Sequence, residues 1–314
     1  MDKKNITRIA LIHLLGFKTN PSIEYFVFFI LFVAYCLTIC GNLLILVLVY
    51  YGKTLHSPMY FFLSQLSVSD ILIVTDILPN SLHAILAKEI TMSFSGCITQ
   101  FSIFAISEGL QCFLLTVMAY DRYLAICKPL HYTSIMSHQT CWIMIIICWT
   151  CSMLIQCNHV TVLITLQFCG PNIIDHFFCD LHPILKLSCS DTTNFELEVT
   201  LLGGFFVIIP FFIIIVSYIY IIVTIFNIPS ITGRKKVFST CSSHLSAVST
   251  FYLTIVCVYL LPNRRQSSDI TKFMSFLYTV VNPLLNPIIY SLRNKDLKQV
   301  VVKMIDNFLS FPSR

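Results

Sequence analysis

Residues 113–123 read Phe113-Leu114-Leu115-Thr116-Val117-Met118-Ala119-Tyr120-Asp121-Arg122-Tyr123, an apolar stretch that stops abruptly at two adjacent, opposite charges. Traced backward, the run reaches about residue 97, enough to cross a bilayer core of roughly 30 Å as a helix. Lipid offers no partner for unpaired backbone groups, so a helix is the form such a run must take. Six further runs qualify, at about 24–50, 58–80, 140–166, 195–226, 237–261 and 272–292. The second holds Asp70, Asp76 and Pro79, and the seventh holds Pro283 and Pro287. Proline kinks a spanning helix and is tolerated there.

Composition agrees. Of 314 residues, 56% are hydrophobic and only 11% charged, against roughly 25% charged in soluble domains. Mean hydropathy is +0.81. So few charges cannot coat a water-soluble globule, which excludes a disordered chain, a coiled coil and an ordinary cytosolic enzyme. The expected fold is an all-α membrane bundle of seven helices. Residues 1–23 form a tail, 24–292 the bundle, and 293–314 a second tail. The net charge of +5 is small and scattered, so nucleic acid is not an expected partner.

Charge sets the expected orientation. With the C-terminus inside, the inner loops carry Lys53, Arg122, Lys128, Arg234, Lys235, Lys236, Arg293, Lys295, Lys298, Lys303 and Arg314, with only Asp121, Asp296 and Asp306 opposing them. The outer side carries basic and acidic residues in near balance. Excess Lys and Arg favours the cytoplasm, so the N-terminus is expected outside and the C-terminus cytoplasmic. Ile9–Leu15 is short, interrupted by His13 and followed by no small-residue cleavage site, so no cleavable signal peptide is expected. The sequon Asn5-Ile6-Thr7 falls on the outer tail, making Asn5 a glycosylation candidate.

Of 14 cysteines, Cys97 lies at the outer end of span three, and Cys169, Cys179 and Cys189 lie in the long loop before span five. Four cysteines on an oxidising face allow three pairings. His176, Cys179 and His182 also have ligand-like spacing, but a disulfide at Cys179 would exclude metal there. After Asn294, Leu297, Val301, Met304, Ile305 and Phe308 form one stripe, with Lys295, Lys298 and Lys303 off it. That pattern predicts an amphipathic helix on the inner leaflet, with membrane lipid as its partner. No cysteine follows Cys257, so palmitate cannot reinforce it.

Five motifs in order carry a family resemblance. Met118-Ala119-Tyr120-Asp121-Arg122-Tyr123 closes span three. Gly41-Asn42 lies in span one, and Leu55-His56-Ser57-Pro58-Met59-Tyr60-Phe61-Phe62-Leu63 opens span two. Lys236-Val237-Phe238-Ser239-Thr240-Cys241-Ser242-Ser243-His244-Leu245 opens span six, and Asn286-Pro287-Ile288-Ile289-Tyr290-Ser291-Leu292-Arg293-Asn294 closes span seven. The chain resembles the odorant receptors, a branch of the rhodopsin-like G-protein-coupled receptors, over nearly its whole length. The resemblance implies a plasma-membrane protein that binds a small, volatile organic odorant. It also implies activation of the stimulatory olfactory heterotrimeric G protein, which raises cyclic AMP.

Arg122 offers five donors in a rigid fork, which Asp121 can hold at rest and a partner helix end can take on release. Taken alone, the pair reads more readily as interfacial charges reaching for water; the other motifs reverse that order. By resemblance, Asp121, Arg122, Tyr123, Tyr218 and Tyr290 form a switch that rearranges as span six swings outward. Arg234, Lys235 and Lys236 would then touch the G protein; plain topology control is the other reading of those charges. Family precedent also pairs Cys97 with Cys179 and Cys169 with Cys189.

An ionisable residue at the midplane needs polar partners. For Asp70 the candidates are Asn42, Gln111, Asn282 and Asn286, a cluster that by resemblance holds water or sodium. The family commonly has glutamate where this chain has Gln111, which puts sodium in question; no other cofactor, and no metal, is expected. Glu108 appears one turn toward the outside instead, about 4.5 Å higher. It could replace the lost carboxylate, act as counter-ion to a cationic odorant, or sit uncharged between helices. Helical phase and resemblance nominate Phe104, Ala105, Glu108, Cys112, Leu202, Phe206, Ile255, Tyr259 and Thr279 for an apolar odorant cavity. Any single aromatic there could instead face lipid or pack. Leu253 stands where the family usually has glycine, adding bulk near the pocket or the pivot of span six.

Other classes fit less well. Span seven has no internal lysine for a retinal Schiff base, and no nucleophile elbow, P-loop or HExxH motif supports catalysis. A channel or transporter would show an inverted repeat or a row of intramembrane charges. A small-molecule receptor of the same superfamily working outside the nose is the nearest alternative.

Overall fold

Each expected span is helical in the computed structural model, which describes residues 10–17, 21–169, 171–260, 268–293 and 297–303. The helices are α1 (Pro21–Tyr51), α2 (Pro58–Ala87), α3 (Phe94–Cys127), α4 (Pro129–Ile135), α5 (His138–Leu163), α6 (Leu181–Leu185), α7 (Thr193–Asn227), α8 (Ile231–Leu260), α9 (Ser268–Phe276) and α10 (Asn282–Arg293). A π-helical segment, Leu277–Val281, joins α9 to α10 into one span. The molecule is a seven-helix bundle, with α4 and α6 lying in loops. α1, α2, α3, α5, α7 and Ile270–Ser291 are long and apolar enough to cross a membrane on composition. α8 is as long as α2, but its first half carries Arg234, Lys235, Lys236 and a run of Ser, Thr and His. It takes its place by packing on α10 and α3.

Local chemistry sets where helices begin. Ser93 caps α3 by accepting the Gly96 N–H, and Ser137 caps α5 by accepting that of Thr140. Pro58 opens α2, where its missing N–H costs nothing. Within the spans the prolines do cost a bond, freeing the carbonyl four residues earlier. Pro287 frees the Pro283 carbonyl, which accepts the Asn42 amide at 3.3 Å. Pro210 frees the Phe206 carbonyl, which accepts the Cys112 thiol at 3.6 Å. At these two sites a neighbouring helix supplies the donor that the proline removes. Gly41 makes one approach possible, because a Cβ there would lie 3.0 Å from Pro287.

Three short strands cover the end of the bundle where α3 begins, the outer end in the expected orientation. β1 (Leu11–Leu14) pairs antiparallel with β2 (Ile90–Ser93) and parallel with β3 (Ile173–Ile174). The tail before α1 is thus partly built into the sheet; Asn5 lies outside the described residues. At the other end, residues 297–303 are helical. Leu297 and Val300 are buried against the bundle, while Met304, Ile305 and Phe308 of the expected stripe lie outside the described residues.

Candidate functional site

The C-terminal end of α3, the inner end in the orientation expected from charge, holds a charge pair. Arg122 Nε donates to Asp121 Oδ2 at 2.9 Å, and a second guanidinium nitrogen bonds the same oxygen. The other carboxylate oxygen accepts the Tyr132 hydroxyl of α4 at 2.8 Å. Burial, with Asp121 adding to it, pushes the Tyr132 phenol above its ordinary value, so it stays a donor. Asp121 is fully buried, and a buried carboxylate needs both contacts.

Beside this pair, His244 bridges three helices. Its Nδ1 lies 2.7 Å from the Tyr218 hydroxyl of α7, and its Nε2 lies 3.1 Å from the Leu115 carbonyl of α3. With the proton on Nε2, the ring accepts from Tyr218 and donates to Leu115. Tyr218 and Tyr290 both lie within electrostatic reach of Arg122 without bonding it. The Tyr290 hydroxyl is buried without a partner among the described residues and also senses Asp70. It stands between the two polar clusters. Tyr123 stacks near Tyr120 and lies tilted against Tyr220. Arg234 Nε donates to the Ile228 carbonyl at 2.7 Å, Lys235 is exposed, and the Lys236 side chain lies outside the described residues.

At mid-bundle, Asp70 is fully buried. Gln111 Nε2 donates to it at 2.9 Å, and Asn286 Nδ2 reaches both its oxygens at 3.1 Å. Asn42 and Asn282 bond elsewhere, to the Pro283 carbonyl and to Thr254. The groups bonded to Asp70 are N–H donors, while the side-chain oxygens of Asn42 and Asn282 are buried without a partner among the described residues. Glu108 is different. It hydrogen-bonds and ion-pairs to no described residue, and its charged neighbours are Asp70 and Asp180.

The other odorant candidates divide by packing. Phe104 is buried against Phe178 and Tyr278, with ring centroids 5.2 and 5.5 Å apart. Thr279 is buried in the π segment and bonds the Ser275 carbonyl. The Cys112 thiol lies 3.5 Å from the Tyr252 hydroxyl. Ala105, Leu202, Phe206 and Ile255 are partly buried, Phe206 meeting Phe113 edge to face. The Tyr259 side chain lies outside the described residues.

The long loop before α7 covers this region. Cys97 pairs with Cys179 and Cys169 with Cys189, with Cα separations of 5.4 and 5.8 Å. The first bond consumes the cysteine of the metal reading, and no metal-binding group of His, Cys, Asp and Glu occurs among the described residues. Phe177 and Phe178 are fully buried under the loop, and Lys272 Nζ meets Asp175 at 2.6 Å. Burial, reinforced by the nearby Lys272 charge, pushes the His176 imidazole down to about 3. Asp180 is raised by burial, though Leu181 N–H and the Tyr278 hydroxyl bond it. His244, Tyr132 and the Phe177-Phe178 plug are the parts that the sequence reading left unassigned.

Comparison with known proteins places this architecture. The olfactory receptor family profile matches residues 31–307. Olfactory receptor 1468 of Rattus norvegicus is 44% identical over 306 residues, covering 97% of each chain. Olfactory receptor 1M1 of Mus musculus is 42% identical over 313 residues, covering 100% of each. Olfactory receptor-like protein I9 of Rattus norvegicus is 41% identical over 306 residues, again covering 97% of each.

Proposed function

The chain belongs to the olfactory receptor family, and from that premise we propose that it is an odorant-gated activator of a heterotrimeric G protein. A small organic ligand enters the outer half of the bundle between α3, α7, α8 and α9. Binding shifts a pre-existing equilibrium toward a state whose inner face is open. The partner is the stimulatory olfactory G protein, and the product is cyclic AMP. The protein sits in the plasma membrane with its N-terminus outside.

The observation that carries this reading is the inner lock. Arg122 is held by a carboxylate on its own helix, whose second oxygen is held by α4. Tyr218 is held by His244 of α8. Moving α8 outward breaks the Tyr218–His244 bond, and releasing Arg122 then presents donors to a partner's helix end. Each contact is a single reversible hydrogen bond or ion pair, the kind that a ligand worth a few kcal/mol can shift.

Glu108 points to the ligand class. A carboxyl group with two acidic neighbours and no bonded partner among the described residues favours a cation beside it, and an amine odorant supplies one. Cyclic AMP should be followed in cells co-expressing the chain and the olfactory G protein, challenged with neutral, acidic and amine odorants. We expect responses that vanish in a surface-displayed Arg122→Ala chain, and amine responses that vanish selectively in Glu108→Gln. Signalling that survives Arg122→Ala would overturn the coupling. Equal loss for neutral and amine ligands would overturn the role of Glu108.

A further inference from the structure

A groove of about 390 Å³ runs between α3 and α7 near the inner end of the bundle. Tyr120 and Tyr123 form one wall, and Phe212, Val216 and Tyr220 form the other. The α7 residues are 60, 49 and 57% exposed on a helix of membrane-crossing length and composition. Their free surface therefore meets lipid. Ser217 also lines the groove. It is only 7% exposed, yet its hydroxyl bonds to no described residue, so a polar group is offered inside an apolar cleft. At the inner mouth, exposed Lys128 places its ammonium 5.9 Å from the Tyr123 ring centroid. It lies eight residues beyond Tyr120, about 12 Å along the helix direction.

We propose that this groove binds an anionic phospholipid of the inner leaflet. The acyl chain lies along the tyrosine wall, an ester carbonyl accepts the Ser217 hydroxyl, and Lys128 meets the headgroup. The assignment rests on the reading that the Lys128 end of α3 faces the cytoplasm. It has a consequence for signalling, because Ser217 precedes Tyr218 and Tyr123 follows Arg122. A bound lipid would press on both halves of the lock from the membrane side.

The test is native mass spectrometry of the full chain, titrated separately with phosphatidylserine, phosphatidylcholine and cholesterol. Wild type should retain one phosphatidylserine in preference to the other two. Val216→Trp, which fills the groove, should lose it; Ser217→Ala should weaken it and serves if the tryptophan variant fails to fold. Lys128→Gln should reduce the preference for phosphatidylserine over phosphatidylcholine by about fivefold, the worth of one cation at an anionic surface. Retention of phosphatidylserine by both groove variants, an unchanged preference in Lys128→Gln, or preferential retention of cholesterol would overturn the site. Cyclic AMP measured on the same variants separates the two readings. An Arg122-dependent response without lipid selectivity sinks the lipid site alone.

Discussion

The two ends of the bundle are held by opposite kinds of bond. The outer end is stapled by two disulfides, a three-stranded sheet and the buried Phe177-Phe178 plug. The inner end has no disulfide among the described residues; over a buried apolar core its polar contacts include a charge pair, a tyrosine hydroxyl and a histidine bridge. Covalent links and buried aromatics resist local opening, whereas a few polar contacts open at small cost. Under the proposed function, the contrast gives rigidity to the face that would receive ligand and movement to the face that would signal.

The largest expected effect breaks the outer staple. Cys179→Ser removes the link to Cys97, which spans 82 residues, and should cost about 2–5 kcal/mol. Flow cytometry should show surface display near background; normal display would mean that the sheet and plug suffice. Acid should loosen the same end. His176 is held at about 3 in the folded loop, whereas an unfolded histidine takes its proton near 6.5. The folded state is therefore favoured fully above about pH 6.5 and loses that advantage as pH falls toward 3. At pH 5 the loss is about 2 kcal/mol. Thermal melting at pH 7.5 and 5 should show a smaller acid shift in His176→Asn than in wild type.

Smaller effects sharpen the inner side. Asp121→Asn leaves Arg122 without its charge partner and should raise ligand-free cyclic AMP about fivefold, a coupling near 1 kcal/mol. Tyr132→Phe removes only one donor to Asp121, a loss of about 1 kcal/mol or less, and should raise it two- to threefold. An unchanged basal signal in Asp121→Asn would mean that the pair does not hold the resting state.

How much of this was legible in the sequence follows from the range of the interactions. The spans are written locally as apolar runs, and each is a helix within a few residues of its expected ends. α2 runs past Pro79 to Ala87, because one lost bond does not end a helix packed on both sides. The disulfides followed from resemblance, and the structure pairs the same cysteines. The strands were not legible: two to four residues carry no period, and Leu11–Leu14 gains its partners from residues 90–93 and 173–174. His244 stood inside a quoted motif, but its role depends on Tyr218 and Leu115, distant in sequence. Asn42 looked like a partner for Asp70 until Pro287 supplied the nearer demand, a carbonyl with no donor. α8 begins at Ile231, six residues before the expected start of its span, because the charged turn ahead of Val237 is helical without being apolar.

The most direct test of the contrast is a pair of distances on the full chain, with and without an activating odorant. Labels at exposed Leu130 and Ile231 report the inner end, and labels at exposed Leu11 and Ile173 report the outer sheet. The account predicts that ligand lengthens the Leu130–Ile231 distance and leaves Leu11–Ile173 unchanged. A fixed inner distance with a separating outer pair would contradict it.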